Sequence, residues 1–463
     1  MTLADSGPVS TQAETLALLD DLGADALWVV YHDLSGLGRA KAVPAGRFGE
    51  VADQGVTFAM ANWDLAVTDH QVPHPIFGAD SGDFRALPDP ATIVPIPHRR
   101  GVAQAFAWLM DDLGHPWAGD PRRLLARQVD RLAAHGLAAR VAFEAEFNLV
   151  TADPDELLAD RSRMFSVDGL DTRWDLGRRL FEELATTGIG IHQLAKEYGP
   201  GQFEISLLPA GPLPAGDRFL LTRQLIKALA REQGLVASFM PKPFAELPGN
   251  GLHVHIGLVP VSEPTADAIA DPSDERAITA TGRAAIAGLL AHAAAQAALG
   301  SPTPNSYKRL LPGSWAPAHE SWAIGNRAVL VRVPGRGAMR HIEYRAGDAG
   351  MNPYLHLAGL LASIVDGLDR SLTAPEPAAL DVGHLSDVSA AAAGYPRLPS
   401  RLSTALDALE ADPVVLDALG PVLPAHYLAV KRFELETYLT ESLADESAIE
   451  VSEWERMTYF AAL

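Results

Sequence analysis

The chain has 463 residues, 48% hydrophobic and 21% charged, with a formal net charge of -21. That length exceeds one simple core and predicts two domains, while the acidic balance argues against a general binder of nucleic acid or anionic membrane. With no cysteine, disulfides, thiolate nucleophiles and cysteine-ligated zinc or iron–sulfur centres are excluded.

The opening MTLADSGPVSTQAETLALL has no basic n-region and no apolar h-region. No signal peptide is expected, and the expected location is the cytoplasm. A helix is predicted over 11–22. ALWVVYHDL (26–34) and GRAKAVP (38–44) flank Ser35-Gly36 and predict a hairpin. Residues 72–100, rich in Pro, His and Asp, read as irregular structure with an edge strand in ATIVPIP (91–97). AQAFAWLM (103–110) reads as a strand. Helical periodicity from Pro121 ends at Gly136. A strand through Glu144 follows, then a polar segment (151–173), a helix (174–187), a strand (201–208) and a helix (217–233). After a His-x-His strand comes an Ala-rich helix from Ala284 to Leu299, too short to span a bilayer. Prolines 302, 304, 312 and 317 mark a loop from 300 to 318. A Glu-x-Arg strand, a helix at 353–369 and a helical, acidic tail complete the chain. The element order predicts α+β rather than a doubly wound sheet. No G-x-x-x-x-G-K-[ST] phosphate loop is present.

Four stretches place two polar or charged residues two positions apart: Glu144-Ala145-Glu146, Gln202-Phe203-Glu204, His253-Val254-His255 and Glu343-Tyr344-Arg345. On a strand, residues i and i+2 share a face. Any one of them alone fits a solvated face or a surface pair. Their recurrence between apolar flanks favours one shared cavity. Glu197, just before Gly199-Pro200-Gly201, adds a fifth carboxylate. Carboxylates converging in a low dielectric repel one another, and bound divalent ions resolve that. Oxygen-dominated ligation favours magnesium or manganese over zinc. Lys308, Arg309, Arg327, Arg332, Arg340 and Arg345 form a basic run in this acidic chain. Singly each is ordinary surface arginine or lysine; together the arginines suit phosphate and carboxylate recognition. Metals with arginines describe phosphoryl-transfer machinery.

An ordered series of segments resembles the glutamine synthetase family of the bacterial type I kind. It comprises FEAEFNLV (143–150), KEYGPGQFEISL (196–207), FMPKP (239–243), GNGLHVHIGL (249–258), NSYKRLLPG (305–313), NRAVLVRVP (326–334), HIEYRAGDAGMNPYL (341–355) and VSEWERMTYF (451–460). The resemblance implies a small N-terminal β-grasp domain (1–112) and a catalytic domain (113–463) on an antiparallel barrel-like sheet. It implies a homo-oligomer, a double-ring dodecamer with active sites between subunits, and no nucleic-acid or membrane partner. Carried over motif by motif, Glu146, Glu197 and Glu204 hold one Mg2+ or Mn2+, and Glu144, His253 and Glu343 hold another, giving two or more ions per site. His255 lies beside the nucleotide phosphates. Arg309 and Arg345 bind glutamate or the phosphate passed to it, with Gly249 in the glutamate site. Arg327 and Arg332 assist the ATP phosphates, with Arg340 alongside. Asp83 matches a catalytic aspartate of the ammonium site. The implied chemistry is phosphorylation of the glutamate γ-carboxylate by ATP, then attack of an amine on the γ-glutamyl phosphate.

The departures concern the amine. After the NSYKRLLPG motif the family has Tyr-Glu; here Ser314-Trp315 stand. An N-terminal aspartate of the ammonium site falls at Asn62, a nucleotide-contacting arginine at His341, and a loop asparagine at Pro248. No YDLP-like segment carrying a modifiable tyrosine is found. Fewer carboxylates weaken selection for ammonium. The expectation is a γ-glutamyl-amine ligase acting on a small organic monoamine such as ethanolamine, with Trp315 and Asn62 at the amine. The alternatives are a γ-glutamylpolyamine synthetase, a glutamine synthetase proper using ammonia, and a non-catalytic regulator that keeps the fold. Glu320, five residues after Trp315, could restore the lost charge.

Overall fold

A computed structural model describes residues 12–151, 160–271 and 273–463. The N-terminal part opens with helix α1 (Gln12–Asp21) and hairpin β1 (Ala26–His32) and β2 (Gly38–Pro44), followed by α2 (Phe48–Gln54) and β3 (Val56–Ala59). β4 (Asp83–Pro88), a short β5 (Val94–Pro95) and β6 (Val102–Met110) complete its sheet. The order is β2-β1-β6-β4-β3, with β1 parallel to β6 and the other pairs antiparallel. β4 corrects the reading of 72–100 as irregular: it is an interior strand between β3 and β6. Its residues Phe84, Ala86 and Pro88 alternate inward, and Pro88 falls at its end, where proline is tolerated. The edge strand shrinks to Val94–Pro95.

The C-terminal part begins with α3 (Pro121–Ala134), capped by Asp120, whose carboxylate accepts from the Arg122 amide. Then come β7 (Leu137–Thr151), α4 (Val167–Thr172), α5 (Trp174–Thr186), β8 (Ile191–Lys196), β9 (Gln202–Leu207), α6 (Pro212–Glu232) and β10 (Leu235–Ser238). β11 (Leu252–Pro260) leads to a small hairpin, β12 (Ala270–Asp271) and β13 (Asp274–Ile278). Helices α7 (Ala280–Ala291) and α8 (Ala293–Gly300) precede β14 (Trp322–Ile324), β15 (Val331–Val333) and β16 (Ile342–Tyr344). The rest is helical: α9 (Pro353–Asp369), α10 (Asp387–Ala392), α11 (Leu402–Glu410), α12 (Pro413–Ala418), α13 (Leu423–Glu441) and α14 (Glu453–Tyr459). Two predicted helices change. The one expected at 217–233 starts at Pro212, because proline suits the first helical turn. The Ala-rich helix breaks at His292, whose ring nitrogens bond Asp412 (2.7 Å) and Asp366 (3.1 Å). Part of the polar segment expected at 151–173 lies outside the described residues.

The second sheet runs β14-β15-β16-β11-β7-β9-β8, with β10 also on β7. It is antiparallel except for β14–β15. This α+β architecture, a small N-terminal sheet followed by a larger, mostly antiparallel one, is the one expected. Phe143, Phe147, Val254, Ile256, Phe203 and Ile205 are buried in the core, where Phe143 packs on Phe219 of α6 with ring centroids 5.1 Å apart. Buried polar contacts tie the N-terminal part to helices of the second part. Arg122 of α3 bonds Asp89 near β4 and Asp217 of α6, and His426 of α13 bonds Asp64 at 2.7 Å. Among the described residues, no helix is long and apolar enough to cross a membrane.

Candidate active site

Strand register builds the site. Glu144 of β7 pairs with His253 of β11, and Glu146 pairs with Glu204 of β9. On the other side of β11, His255 pairs with Glu343 of β16, which pairs with Arg332 of β15. Residues directly opposite in a ladder point to one face, so one face of five strands carries the polar set while the alternate residues fill the core. The side chains meet there. His253 Nδ1 lies 3.0 Å from Glu144 Oε1 and 3.9 Å from Glu343 Oε1, and His255 Nε2 lies 3.5 Å from Glu144 Oε2. Glu146 accepts from the Gly251 amide at 2.8 Å. Glu197 accepts from the Tyr198 amide at 3.0 Å, and Glu204 from Gln193 and Ser206 at 3.4 Å.

The carboxylates split electrostatically. Burial pushes Glu204 up to about 9, reinforced by Glu144, Glu146 and Glu197. Burial and then Glu146 push Glu197 up to about 7. Glu144 moves the other way: burial would raise it, but hydrogen bonds from His253 and His255 outweigh that and hold it well below the usual range. Glu343 falls to about 2, because Arg345, the two histidines and Arg332 overcome burial. Arg332 Nη1 lies 2.7 Å from Glu343 Oε2, and Arg345 is in contact with its other oxygen. A cluster that cannot hold all its charges alone, with mostly oxygen donors, fits hard divalent cations such as Mg2+ or Mn2+. The donor atoms of Glu144, His255 and Glu343 lie within 4.8 Å of one another, close enough to share an ion. The resemblance set His253 in that trio; in the structure both imidazoles face Glu144.

Arg309 is buried and donates to the carbonyls of Ala346 and Arg345, both at 3.1 Å. Burial lowers its pKa. Two glycines make room for it. A Cβ on Gly249 would stand 2.9 Å from Arg309 Cγ, and one on Gly251 would stand 2.5 Å from Arg309 Nη2. Buried Arg345 keeps Nε without a partner among the described residues, a donor left for a ligand.

The remaining expected residues lie apart. Arg340 donates to the Ala277 carbonyl of β13 at 3.2 Å, and Arg327 is exposed. Asn62 and Asp83 belong to the N-terminal sheet region: Asn62 donates to the Tyr31 hydroxyl at 3.1 Å, and Asp83 is the exposed first residue of β4. Trp315 is 68% exposed with φ 62°, on the loop beyond Arg309. Sequence reasoning noted Gln202 without giving it a role. Its amide lies 3.4 Å from Glu146 and donates to the Gly249 carbonyl at 3.0 Å. Lys196, fully buried, was missed; its ammonium donates to the carbonyls of Glu197 and Gly199, both at 2.7 Å. Gln202 had a signal in its i, i+2 spacing with Glu204, whereas Lys196 had none.

The model for the glutamine synthetase catalytic domain matches residues 118–459. The chain belongs to the glutamine synthetase family. It is 34% identical over 443 residues to the glutamine synthetase of Pyrococcus abyssi, covering 93% of this chain and 95% of that one. With the glutamine synthetase of Thermus thermophilus it shares 32% over 457 residues, covering 97% and 99%. Among solved structures, a GmaS/ADP complex superposes with a TM-score of 0.81 at 28% identity, covering 96% of this chain and 98% of that one. A crystal structure described as a novel glutamine synthase homolog gives the same TM-score at 28% identity, covering 92% and 97%. As a glutamine synthetase family ligase, this protein performs ATP-dependent ligation on glutamate, and the family uses divalent metals.

Proposed function

We propose that this protein is a γ-glutamyl-amine ligase whose amine is a small organic monoamine such as ethanolamine. The observation that carries the reading is Trp315. It puts an exposed aromatic surface, with no charge, on the loop that follows Arg309. Glu320 is a poor replacement for a lost anion there, because burial pushes it up to about 7 and leaves it about half protonated at neutral pH. A polyamine would call for several carboxylates around its chain, and Trp315 removes one.

Glu144, Glu146, Glu197, Glu204, Glu343 and the two imidazoles would hold Mg2+ or Mn2+. Such ions, when bound, neutralise charge on the nucleotide phosphates. Arg309 and Arg345 orient glutamate and the phosphoryl group it receives, and Arg332 meets phosphate charge. The γ-carboxylate oxygen attacks the γ-phosphorus and ADP departs. The amine then attacks the acyl carbon, inorganic phosphate leaves, and the amine nitrogen loses a proton. Asn62, in the 3-10 turn Met60–Asp64, and Asp83, on β4 of the N-terminal sheet, are far from the carboxylate strands in sequence and fit a role in the site of a neighbouring copy, as in a double-ring dodecamer.

A second reading, glutamine synthesis from ammonia, is favoured by the near-full-length likeness to glutamine synthetases. The test is ATP-dependent phosphate release with glutamate and Mg2+, offered no amine, ammonium, ethanolamine, putrescine, spermine or an aniline. Preference for ethanolamine supports the proposal. Preference for ammonium establishes the second reading, and putrescine or spermine preference would move the assignment to polyamines. In the Trp315→Glu variant the ratio of ammonia use to organic-amine use should rise; an unchanged ratio would remove Trp315 from the argument.

A further inference from the structure

Glu455 of α14 is fully buried, and the reaction just described leaves it unused. Its Oε1 accepts from Asn305 Nδ2 at 2.9 Å. Its Oε2 accepts from Lys308 Nζ at 2.7 Å and from the Ser452 amide and hydroxyl at 2.7 and 2.8 Å. A buried carboxylate is costly unless its charge is paired and its oxygens are hydrogen-bonded, and both conditions hold here. These bonds join stretches far apart in sequence. Asn305 and Lys308 stand in the 3-10 turn Pro304–Lys308, and the next residue is Arg309. Asn305 also clamps the loop between β10 and β11. Its Oδ1 accepts from the Lys242 amide at 2.7 Å, and its Nδ2 donates to the Lys242 carbonyl at 2.9 Å. Only one orientation of the Asn305 amide serves the Lys242 N–H, the Lys242 carbonyl and the Glu455 carboxylate together. One residue earlier the loop closes on itself, where the Pro241 carbonyl accepts from the Asn250 amide at 2.7 Å. Gly249 is wedged at that closure: a Cβ there would stand 2.5 Å from the Pro241 oxygen and 2.9 Å from Arg309 Cγ. Close packing of this kind transmits displacement, so a shift of Lys242 against Asn305 moves Gly249 against Arg309. α14 grips the same loop a second time, through Met240 in an apolar cluster with Val451, Tyr459 and Leu463.

We propose that Glu455 is a positioning residue for glutamate binding: through Asn305 and Lys308 it holds the loop from Pro241 to Gly249 and the backbone at Arg309 at one fixed separation. The inference rests on the reading of Gly249 and Arg309 as glutamate contacts of the ligase. Glu455 acts through those residues and not on the reacting atoms.

The test compares two variants. Glu455→Gln keeps the side chain's volume and one acceptor oxygen but loses the charge and the second acceptor. Leu409→Ala opens a cavity at a fully buried position of α11 and is the control for lost stability alone. Phosphate release is followed with glutamate, ATP, Mg2+ and the amine that the panel above selects. In Glu455→Gln the KM for glutamate should rise about tenfold or more, while kcat and the KM for ATP stay within about threefold. Leu409→Ala should leave the KM for glutamate within about twofold. An unchanged KM for glutamate in Glu455→Gln, a rise shared equally with ATP, or the same rise in Leu409→Ala overturns the proposal. Hydrogen exchange read by mass spectrometry supplies a measurement that needs no turnover. In Glu455→Gln the amides of residues 241–250 should exchange about tenfold or more faster than in the unsubstituted enzyme, and in Leu409→Ala no faster than the rest of the chain. Unchanged exchange of that loop in Glu455→Gln overturns the proposal as well. Absence of ATP-dependent phosphate release with every amine would instead defeat the ligase reading, and the exchange measurement would still decide whether Glu455 holds the loop.

Discussion

Loading the carboxylate cluster with a divalent cation should release protons, and the structure sets how many. Glu204 sits at about 9 and Glu197 at about 7. At pH 7 the first is almost fully protonated and the second about half, so the cation-free set holds about 1.5 protons. Metal binding requires them as carboxylates. Glu343, at about 2, and Glu144, held low by its histidines, have no protons to give. Release should therefore be about 1.5 protons at pH 7 and about 0.5 at pH 9, where Glu197 is already ionised and Glu204 half so. Titration calorimetry of Mn2+ into cation-free enzyme, repeated in buffers of different ionisation enthalpy, reads this number directly. In Glu204→Gln the release at pH 7 should fall by about one proton. The sign for stability follows from the same groups. Both are raised above their ordinary 4.5, so the cation-free fold binds more protons than the unfolded chain between about 4.5 and about 9. Stability is full below that window and lost as pH rises through it, and added Mg2+ should flatten the loss in a Tm series. A release near zero at pH 7, or one equal at both pH values, would refute the reasoning.

Three further outcomes are expected. Gly249→Ala should raise the KM for glutamate and cut kcat/KM by about tenfold or more, since its Cβ would stand 2.5 Å from the Pro241 carbonyl and 2.9 Å from Arg309 Cγ; steady-state kinetics in glutamate check this. Arg345→Lys keeps the charge but loses the planar fork, and should lower kcat/KM for glutamate by about a hundredfold, with wild-type kinetics counting against the assignment. Glu455→Ala removes the carboxylate 2.7 Å from the buried Lys308 ammonium, which keeps its bond to the Glu450 carbonyl but loses its opposite charge, and should destabilise the fold by about 3–5 kcal/mol in urea unfolding.

The sheet face was legible because alternation is a local rule. Glu144 and Glu146 flanked by Phe143 and Phe147 announce a strand with one charged side, and cross-strand pairing then aligns it with His253, Glu204 and Glu343. β4 was not legible, because proline and aspartate around Phe84 and Ala86 imitate a loop, and only pairing on both sides makes Asp83–Pro88 a strand. The break at His292 was hidden for a related reason: nothing in an Ala-rich run reveals that Asp366 and Asp412, distant in sequence, capture its ring. Lys196 escaped because its role is to donate to carbonyls, and a backbone acceptor leaves no mark on composition. Trp315 and His341 stood out only against a family pattern; their own surroundings are loop and strand edge.

The two ends of the site solve the charge problem differently, and that difference orders its chemistry. Glu343 is neutralised within the chain, by Arg332 and Arg345. Among the described residues, Glu204 and Glu197 have no such arginine among their bonds and are relieved by protons instead. A cation arriving at Glu204 and Glu197 therefore displaces protons, whereas one arriving at Glu343 competes with guanidinium groups. Once Glu343 is shared with a cation, its hold on Arg332 and Arg345 weakens by ordinary Coulomb reasoning. Both arginines then have donors to turn toward an anion, and Arg345 already carries an Nε with no partner among the described residues. On the proposed function, the same carboxylate would store the arginines in the cation-free protein and free them to meet phosphate charge. Cation and nucleotide should accordingly favour each other's binding through Glu343, beyond the affinity of one for the other in solution.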